Sequence, residues 1–248
     1  MKQIIAKKND IYLREMQVVI ESDLGIKVST SSLCRTLERW KLRRKKTLID
    51  SERQTHRVKN LRYEWRQWLD KVDVRNLVFI DETGVNLSMN RRYGRGEGGV
   101  RVYDDCPGKR GKNLTLIGAM SDEGLIVTMT LTGELDTASF LVDIERVLLP
   151  QLWVGAIVVM DNLPGHHAKL AEELIKSVGA SVKFLPPYSP DLSPIELCWS
   201  KLKEILRSIG ARTTAHLERA ISVAIDRITD DNALSWFHHC GLYLEKIR

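Results

Sequence analysis

Three carboxylates stand where a folded chain could bring them together. Asp81 closes the apolar run "LVFID", Asp161 closes "AIVVMD", and Glu196 falls on the first turn of the helix that begins after "PPYSPDLSP". In open α/β sheets ligands collect at the carboxyl ends of strands, so two strand-end aspartates can face one crevice. Singly, each is a common turn former. Glu196 admits two readings. "SPIE" spells a capping box, with Ser193 at N-cap, Pro194 at N1 and Glu196 reaching back to the Ser193 backbone N–H. Yet Pro186, Pro187, Pro190 and Pro194 stiffen the approach within nine residues, and a ligand needs such tight placement where a cap does not. Converging hard oxygen ligands select Mg²⁺ or Mn²⁺. Two such ions, roughly 3.5–4 Å apart, can clamp the attacking and leaving oxygens of a phosphodiester. Glu82 is expected on the opposite face of its strand, and Asp191 is expected to bond backbone amides of the proline turn.

The elements that must hold these acids follow from periodicity. After "RNLVFID" come two more strand-like runs, "KNLTLIGAM" and "LIVTMTL", joined by the hairpin signal "SDEG". A helix is expected from Asp136 to Leu149, then the strand "GAIVVMD", the helix "HHAKLAEELIKSVG", the strand "SVKFL", the helix after Ser193, and further helices to the end. Three strands able to form a meander, followed by alternating β/α units, predict a mixed sheet with helices on its faces, the α/β succession of a ribonuclease-H-like fold. "GRGEGG" fits a dinucleotide-loop spacing, but no strand feeds it and "VRVYDD" after it alternates like a strand. "GKRGKN" has Asn113 where a P-loop needs Ser or Thr. Residues 91–112 read instead as a mobile basic loop.

Ahead of the sheet the chain is helical and basic. Residues 1–62 hold 16 Lys/Arg against 7 Asp/Glu, a net of +9, whereas 63–248 hold 22 against 25, a net of −3. Such a front suits a polyanion partner. "IYLREMQVVIESDLGI" places Ile11, Met16, Val19, Ile20 and Leu24 on one stripe and stops at Gly25. "KVSTSSLCRTLERWKL" follows, with Ser29 or Thr30 as N-cap and Leu33, Leu37 and Trp40 on one face. Two helices around a glycine turn are the helix-turn-helix pattern. On the second, Ser31, Ser32, Arg35 and Arg39 face outward, and the run Lys41, Arg43, Arg44, Lys45, Lys46 after it would neutralise phosphates. An ordinary helical hairpin with a solvated basic surface is the plainer reading. Three segments result: 1–50, a small all-α helix-turn-helix segment; 51–72, an amphipathic connector helix along Val58, Leu61, Trp65 and Trp68; and 73–248, the domain carrying the acids. Cys34, Cys106, Cys198 and Cys240 are too scattered for a zinc site or disulfide framework and fit a reducing cytosol. No apolar run is long enough to span a bilayer, and the N-terminus lacks the apolar stretch of a secretory signal.

Taken together, "FIDETG", "VVMDNLPGHH" and "PPYSPDLSPIELCWSKLK" resemble the DDE superendonucleases, specifically the mariner-like transposases of bacterial insertion sequences. Glu196 follows Asp161 by 35 positions, the spacing of the group's DD34E type. The resemblance spans residues 25–240 and implies the following. Asp81, Asp161 and Glu196 would be the catalytic, metal-binding triad, with two Mg²⁺ (or Mn²⁺) ions per site. Asn162 and His166 match a "DN…H" block and would support the second acid or touch DNA. Lys112 and Asn113 sit near a "K-N-T" stretch, here "KNLT", which makes Lys112 a DNA-contact candidate. His167, His238 and His239 read as ordinary. The activity would be endonucleolytic phosphoryl transfer: cleavage at the ends of a mobile element, then attack of the freed 3′-OH on target DNA, generally at TA. Terminal inverted repeats and target DNA would be the partners, a homodimer would pair two ends, no membrane would be involved, and the setting would be the bacterial cytoplasm, at the nucleoid. The family carries two helix-turn-helix units and only the second is evident, so the chain is expected to be the downstream frame of a split gene or a truncated copy. Two rivals remain: a catalytically incomplete, truncated copy that represses transposition, and a host nuclease or ribonuclease H.

Overall fold

The computed structural model describes residues 1–43, 50–108, 111, 113–133, 141–142, 144–161 and 169–243. Arg44, Lys45, Lys46, Lys112, Asn162, His166 and His167 lie outside the described residues. The chain divides into two compact units, Met1–Asp50 and Ser51–Arg248.

The first unit is helical: α1 (Lys2–Lys7), α2 (Leu13–Leu24) and α3 (Thr30–Arg39). Gly25 ends α2 in the left-handed region at φ 66°, where the lack of a Cβ removes the penalty. Ser29 caps α3, its hydroxyl oxygen accepting the Ser32 backbone N–H at 3.1 Å. Met16, Ile20 and Leu33 form the core, with Ile11 and Leu37 packed against it. Leu24 and Trp40, expected on the buried stripes, are 66% and 40% exposed. Leu24 is the last residue of α2 and Trp40 the C-cap of α3, and the Lys2 ammonium lies over the Trp40 ring at 5.1 Å.

The second unit opens with a 3₁₀ turn (Ser51–Gln54) and α4 (His56–Leu69). The expected unbroken connector is thus split, because the Thr55 hydroxyl caps α4 by accepting the Val58 N–H and a cap requires non-helical backbone. Five strands follow: β1 (Leu77–Val85), β2 (Leu114–Ser121), β3 (Gly124–Thr132), β4 (Ile157–Met160) and β5 (Ser181–Phe184). Their order is β3-β2-β1-β4-β5. The first three form an antiparallel meander, and β4 and β5 add in parallel. Residues 122–123 make the β2–β3 hairpin, with Gly124 at φ 123°. The sheet is mixed and flanked by helices, a ribonuclease-H-like fold.

Alternation along β1 assigns the two faces. Leu77, Phe79 and Val85 join the core under α6 (Pro194–Ile209), α7 (Thr214–Ile225) and α8 (Asp230–His239), to which α4 adds Trp65. Val78 and Ile80 join the core on the other face, under a π-helical turn (Ile144–Leu148) and α5 (Lys169–Ser177). That π turn, and a 3₁₀ turn to Gln151, occupy the described end of the helix expected from Asp136.

"VRVYDD" is not a strand. Residues 100–105 are exposed and join no ladder, and alternation without a partner strand leaves backbone groups to water. The β1–β2 connection instead folds back on itself at its base, where Arg212 donates to Asn90 Oδ1 and to the Asp105 carbonyl, both at 2.9 Å. Among the described residues no helix is long and apolar enough to cross a membrane, and all four cysteines are free.

Candidate active site

Asp81 does not end its strand, as "LVFID" led us to expect; β1 continues to Val85 and Asp81 pairs with Gly118 of β2. What ends near Asp81 is the pairing with β4, which runs from Leu77↔Ile157 to Phe79↔Val159. Carried two residues further, that register sets Asp81 beside Asp161, the first residue after β4. The last pair of that ladder is Phe79↔Val159, so the two aspartates lie two residues beyond it, side by side in sequence register rather than on opposite walls of a crevice. Because side chains alternate, Asp81 shares the face of Leu77 and Phe79, the one α6 covers. Glu82 belongs with Ile80 on the other face, as expected.

Helix α6 supplies the rest. Trp199, buried, donates its indole N–H to Asp81 Oδ2 at 3.1 Å. The ring reaches that position because residue 118 is glycine: a Cβ there would lie 2.6 Å from the Trp199 Cη2. Glu196 stands one helical turn before Trp199, on the same side. Its carboxylate is not a cap. The Ser193 backbone N–H donates to the Pro190 carbonyl at 3.1 Å, and the Ser193 side chain makes no capping bond. The 3₁₀ turn Pro190–Leu192 thus satisfies the donor that a capping box would have claimed.

Electrostatically the acids feel one another. The Asp81 carboxyl is pushed up to about 7, by burial first and then by the charges of Glu196, Glu82 and Asp161. Glu196 is the most open to solvent of the three, yet burial raises it too, with Asp161 adding to the rise and Lys203 opposing it. Lys203, two turns beyond Glu196, is lowered by burial and held up by Glu196 and Asp81. Among the described residues no three acidic, histidine or cysteine side chains are drawn in tightly enough to chelate an ion by themselves. The donor set nevertheless suits a hard divalent cation. It is all carboxylate oxygen, its members disfavour one another's ionisation, and Mg²⁺ is commonly held by one or two carboxylates completed by water and substrate phosphate.

Asp191 is not bound chiefly to turn amides as expected. Arg62 grips both its oxygens, at 3.1 and 2.8 Å, and Arg53 adds a contact at 2.8 Å. Burial would raise its pKa; the two guanidinium groups prevail and hold it below the ordinary aspartate value.

Residues 76–218 match the family described as DDE superfamily endonuclease. The chain belongs to that family. Among solved structures, this DDE superfamily endonuclease resembles the Mos1 strand transfer complex (TM-score 0.70, 17% identity, 96% of this chain and 73% of that one). It also resembles the Mos1 transposase paired-end complex with left transposon end (0.69, 16%, 96% and 74%). The catalytic domain of Mos1 mariner transposase gives 0.55 at 15% identity, over 79% and 92%. These are likenesses of fold. Among curated proteins none matches.

Of the nucleic-acid candidates on the first unit, Ser31, Ser32, Arg35, Arg39, Lys41 and Arg43 are all exposed. Ser32 is partly committed, since the Ser29 hydroxyl donates to its Oγ at 3.0 Å. Trp199, Lys203 and Arg62 are site residues that the sequence analysis does not single out. The spacing held a signal for each. Trp199 and Lys203 follow Glu196 by one and two helical turns. Arg62 interrupts the apolar stripe of α4 between Val58 and Trp65, and a charge there requires a partner.

Proposed function

We propose that this DDE superfamily endonuclease is a DNA transposase of the mariner-like, DD34E type found in bacterial insertion sequences. It would cleave the ends of a mobile element and join the freed 3′-OH to target DNA at TA. The observation that carries the reading is the joint placement of Asp81 and Asp161 by strand register and of Glu196 by α6, with the Glu196 carboxylate spared from capping. Asp81, Asp161 and Glu196 would hold two Mg²⁺ or Mn²⁺ ions. When bound, such ions supply Lewis-acid stabilisation to the phosphodiester oxygens. Mos1 paired-end complexes have been solved with Mn and with Mg.

The protein's own part is placement and charge. The Trp199 indole fixes which Asp81 oxygen is turned away from the helix. Lys203 tempers the repulsion among the acids and offers a cation to an incoming phosphate. Residues 1–50 would read the terminal inverted repeats through Ser31, Ser32, Arg35, Arg39 and the basic run Lys41, Arg43, Arg44, Lys45 and Lys46. Residues 51–72 would connect that module to a catalytic domain at 73–248, where Lys112, Asn162 and His166 are further candidates to touch DNA or support the second acid. Two copies would pair two ends, in the bacterial cytoplasm at the nucleoid.

The test is cleavage of an end-bearing duplex with Mg²⁺. Wild type is expected to nick it, and Glu196→Gln to remain folded and bind it without cutting. Persistent cutting by Glu196→Gln overturns the site. Binding without cutting by the wild type, with any upstream reading frame supplied, favours the truncated repressor instead.

A further inference from the structure

A proline locks its own φ and restricts the residue before it, so four prolines stiffen the approach to Glu196 without deciding where it lies against the rest of the fold. A second set of contacts does that. Arg62, 9% exposed, forks onto Asp191 and also donates from Nη1 to Ser189 Oγ at 2.6 Å. The Ser189 hydroxyl in turn donates to the Pro187 carbonyl at 3.0 Å. One guanidinium therefore grips the chain from Pro187 to Asp191. From there backbone bonds lead on: Leu192 N–H to Ser189 O at 3.0 Å, Ser193 N–H to Pro190 O at 3.1 Å, and Glu196 N–H to Ser193 O at 3.3 Å. Arg53, in the turn that opens the second unit, closes on the same carboxylate.

An ordinary helix-to-loop salt bridge does not need this arrangement. A guanidinium on the buried stripe of α4 carries a desolvation cost that an apolar residue would avoid, and its partner Asp191 is 42% exposed at the side chain, so the link fixes the geometry of the turn more than it adds stability. We infer that Arg62, with Arg53 and Asp191, is a positioning device for the Glu196 carboxylate, so that α4 tunes the affinity of the site for divalent metal. The inference rests on Glu196 being a metal ligand.

The experiment is Mn²⁺ titration of the full chain followed by electron paramagnetic resonance, beside the Mg²⁺ dependence of end cleavage and thermal melting. The variants are Arg62→Lys, Asp191→Asn, their double, Glu196→Gln and, as a destabilised control, Ile221→Ala on the buried face of α7. Arg62→Lys and Asp191→Asn are each expected to weaken Mn²⁺ binding on the order of 10-fold, the usual range for residues that orient metal ligands, and to raise the half-maximal Mg²⁺ concentration equally. The double should be no worse than either single, since both cut one link. Asp191→Glu, which keeps the carboxylate, should recover most of the loss. The inference is overturned if the clamp variants keep wild-type Mn²⁺ affinity while Glu196→Gln loses it. It is equally overturned if Ile221→Ala, at a matched drop in melting temperature, loses as much affinity. Unchanged Mn²⁺ binding in Glu196→Gln would instead remove the metal-ligand reading itself, and the clamp inference with it.

Discussion

Asp81 shows how much one side chain can depend on two others. Its Oδ2 is held by the Trp199 indole, and that ring needs Gly118 beneath it. Trp199→Phe removes the N–H and shrinks the ring. We expect stability to fall by about 1–3 kcal/mol and cleavage to fall roughly 10- to 100-fold as the carboxylate loses its orientation; kcat at saturating Mg²⁺, measured well below the melting temperature, checks this. Gly118→Ala forces a methyl onto the indole and should cost about 1–3 kcal/mol, read from denaturant unfolding. The raised pKa of Asp81 makes a further prediction. Between its ordinary value near 4 and about 7 the folded chain holds a proton that the unfolded chain has released, so stability falls as pH rises through that window. Melting in EDTA should therefore decline from pH 4.5 to 7.5, and Asp81→Asn should flatten the decline. Asp191 acts below that window with the opposite sign. Its lowered pKa stabilises the fold above pH 4, and the contribution fades as pH falls through the folded value.

At the scale of elements, the apolar runs named the strands and helices well because burial on one or two faces dictates periodicity. They named the ends poorly. "LVFID" gave no sign that β1 continues four residues past Asp81, because continuation depends on a partner, β2, lying alongside. "VRVYDD" alternates yet finds no partner. "SPIE" fits a capping box, but a competing 3₁₀ turn takes the Ser193 N–H first. Helix stability discriminates these readings of Glu196. A capping box would lose about 1 kcal/mol on removal of its acid. Glu196→Ala should instead leave melting unchanged or raise it, since a partly buried charge among like charges is removed. Thr229→Ala, at a helix whose capping box is formed, should show the loss of about 1 kcal/mol by the same measurement.

At the scale of the whole molecule, the charge division was visible in composition, +9 ahead of residue 63 and −3 behind it. The helix-turn-helix pattern also set a segment boundary at residue 50, and the chain divides into Met1–Asp50 and Ser51–Arg248. If the front unit is the main DNA footprint, replacing Lys41, Arg43, Arg44, Lys45 and Lys46 by Gln should weaken duplex binding across sequences. The plot of log K against log salt should flatten by about 0.9 for each phosphate that is no longer neutralised. Fluorescence anisotropy at several ionic strengths measures both. A slope equal to wild type would move the footprint elsewhere.

The constant offset between β1 and β4 carries a lesson about how such a chain can change over time. Side chains alternate, so a single codon gained or lost between Leu77 and Asp81, or between Ile157 and Asp161, turns one acid to the wrong side of the sheet and ends the pairing of the two. The same event in the long connection after Val85, or in the stretch between β3 and β4, leaves that alignment intact. Lineages descended from this sequence should accumulate length variation in those connections freely, while indels within the two short ladders should be found only in chains that have lost the pairing of the acids.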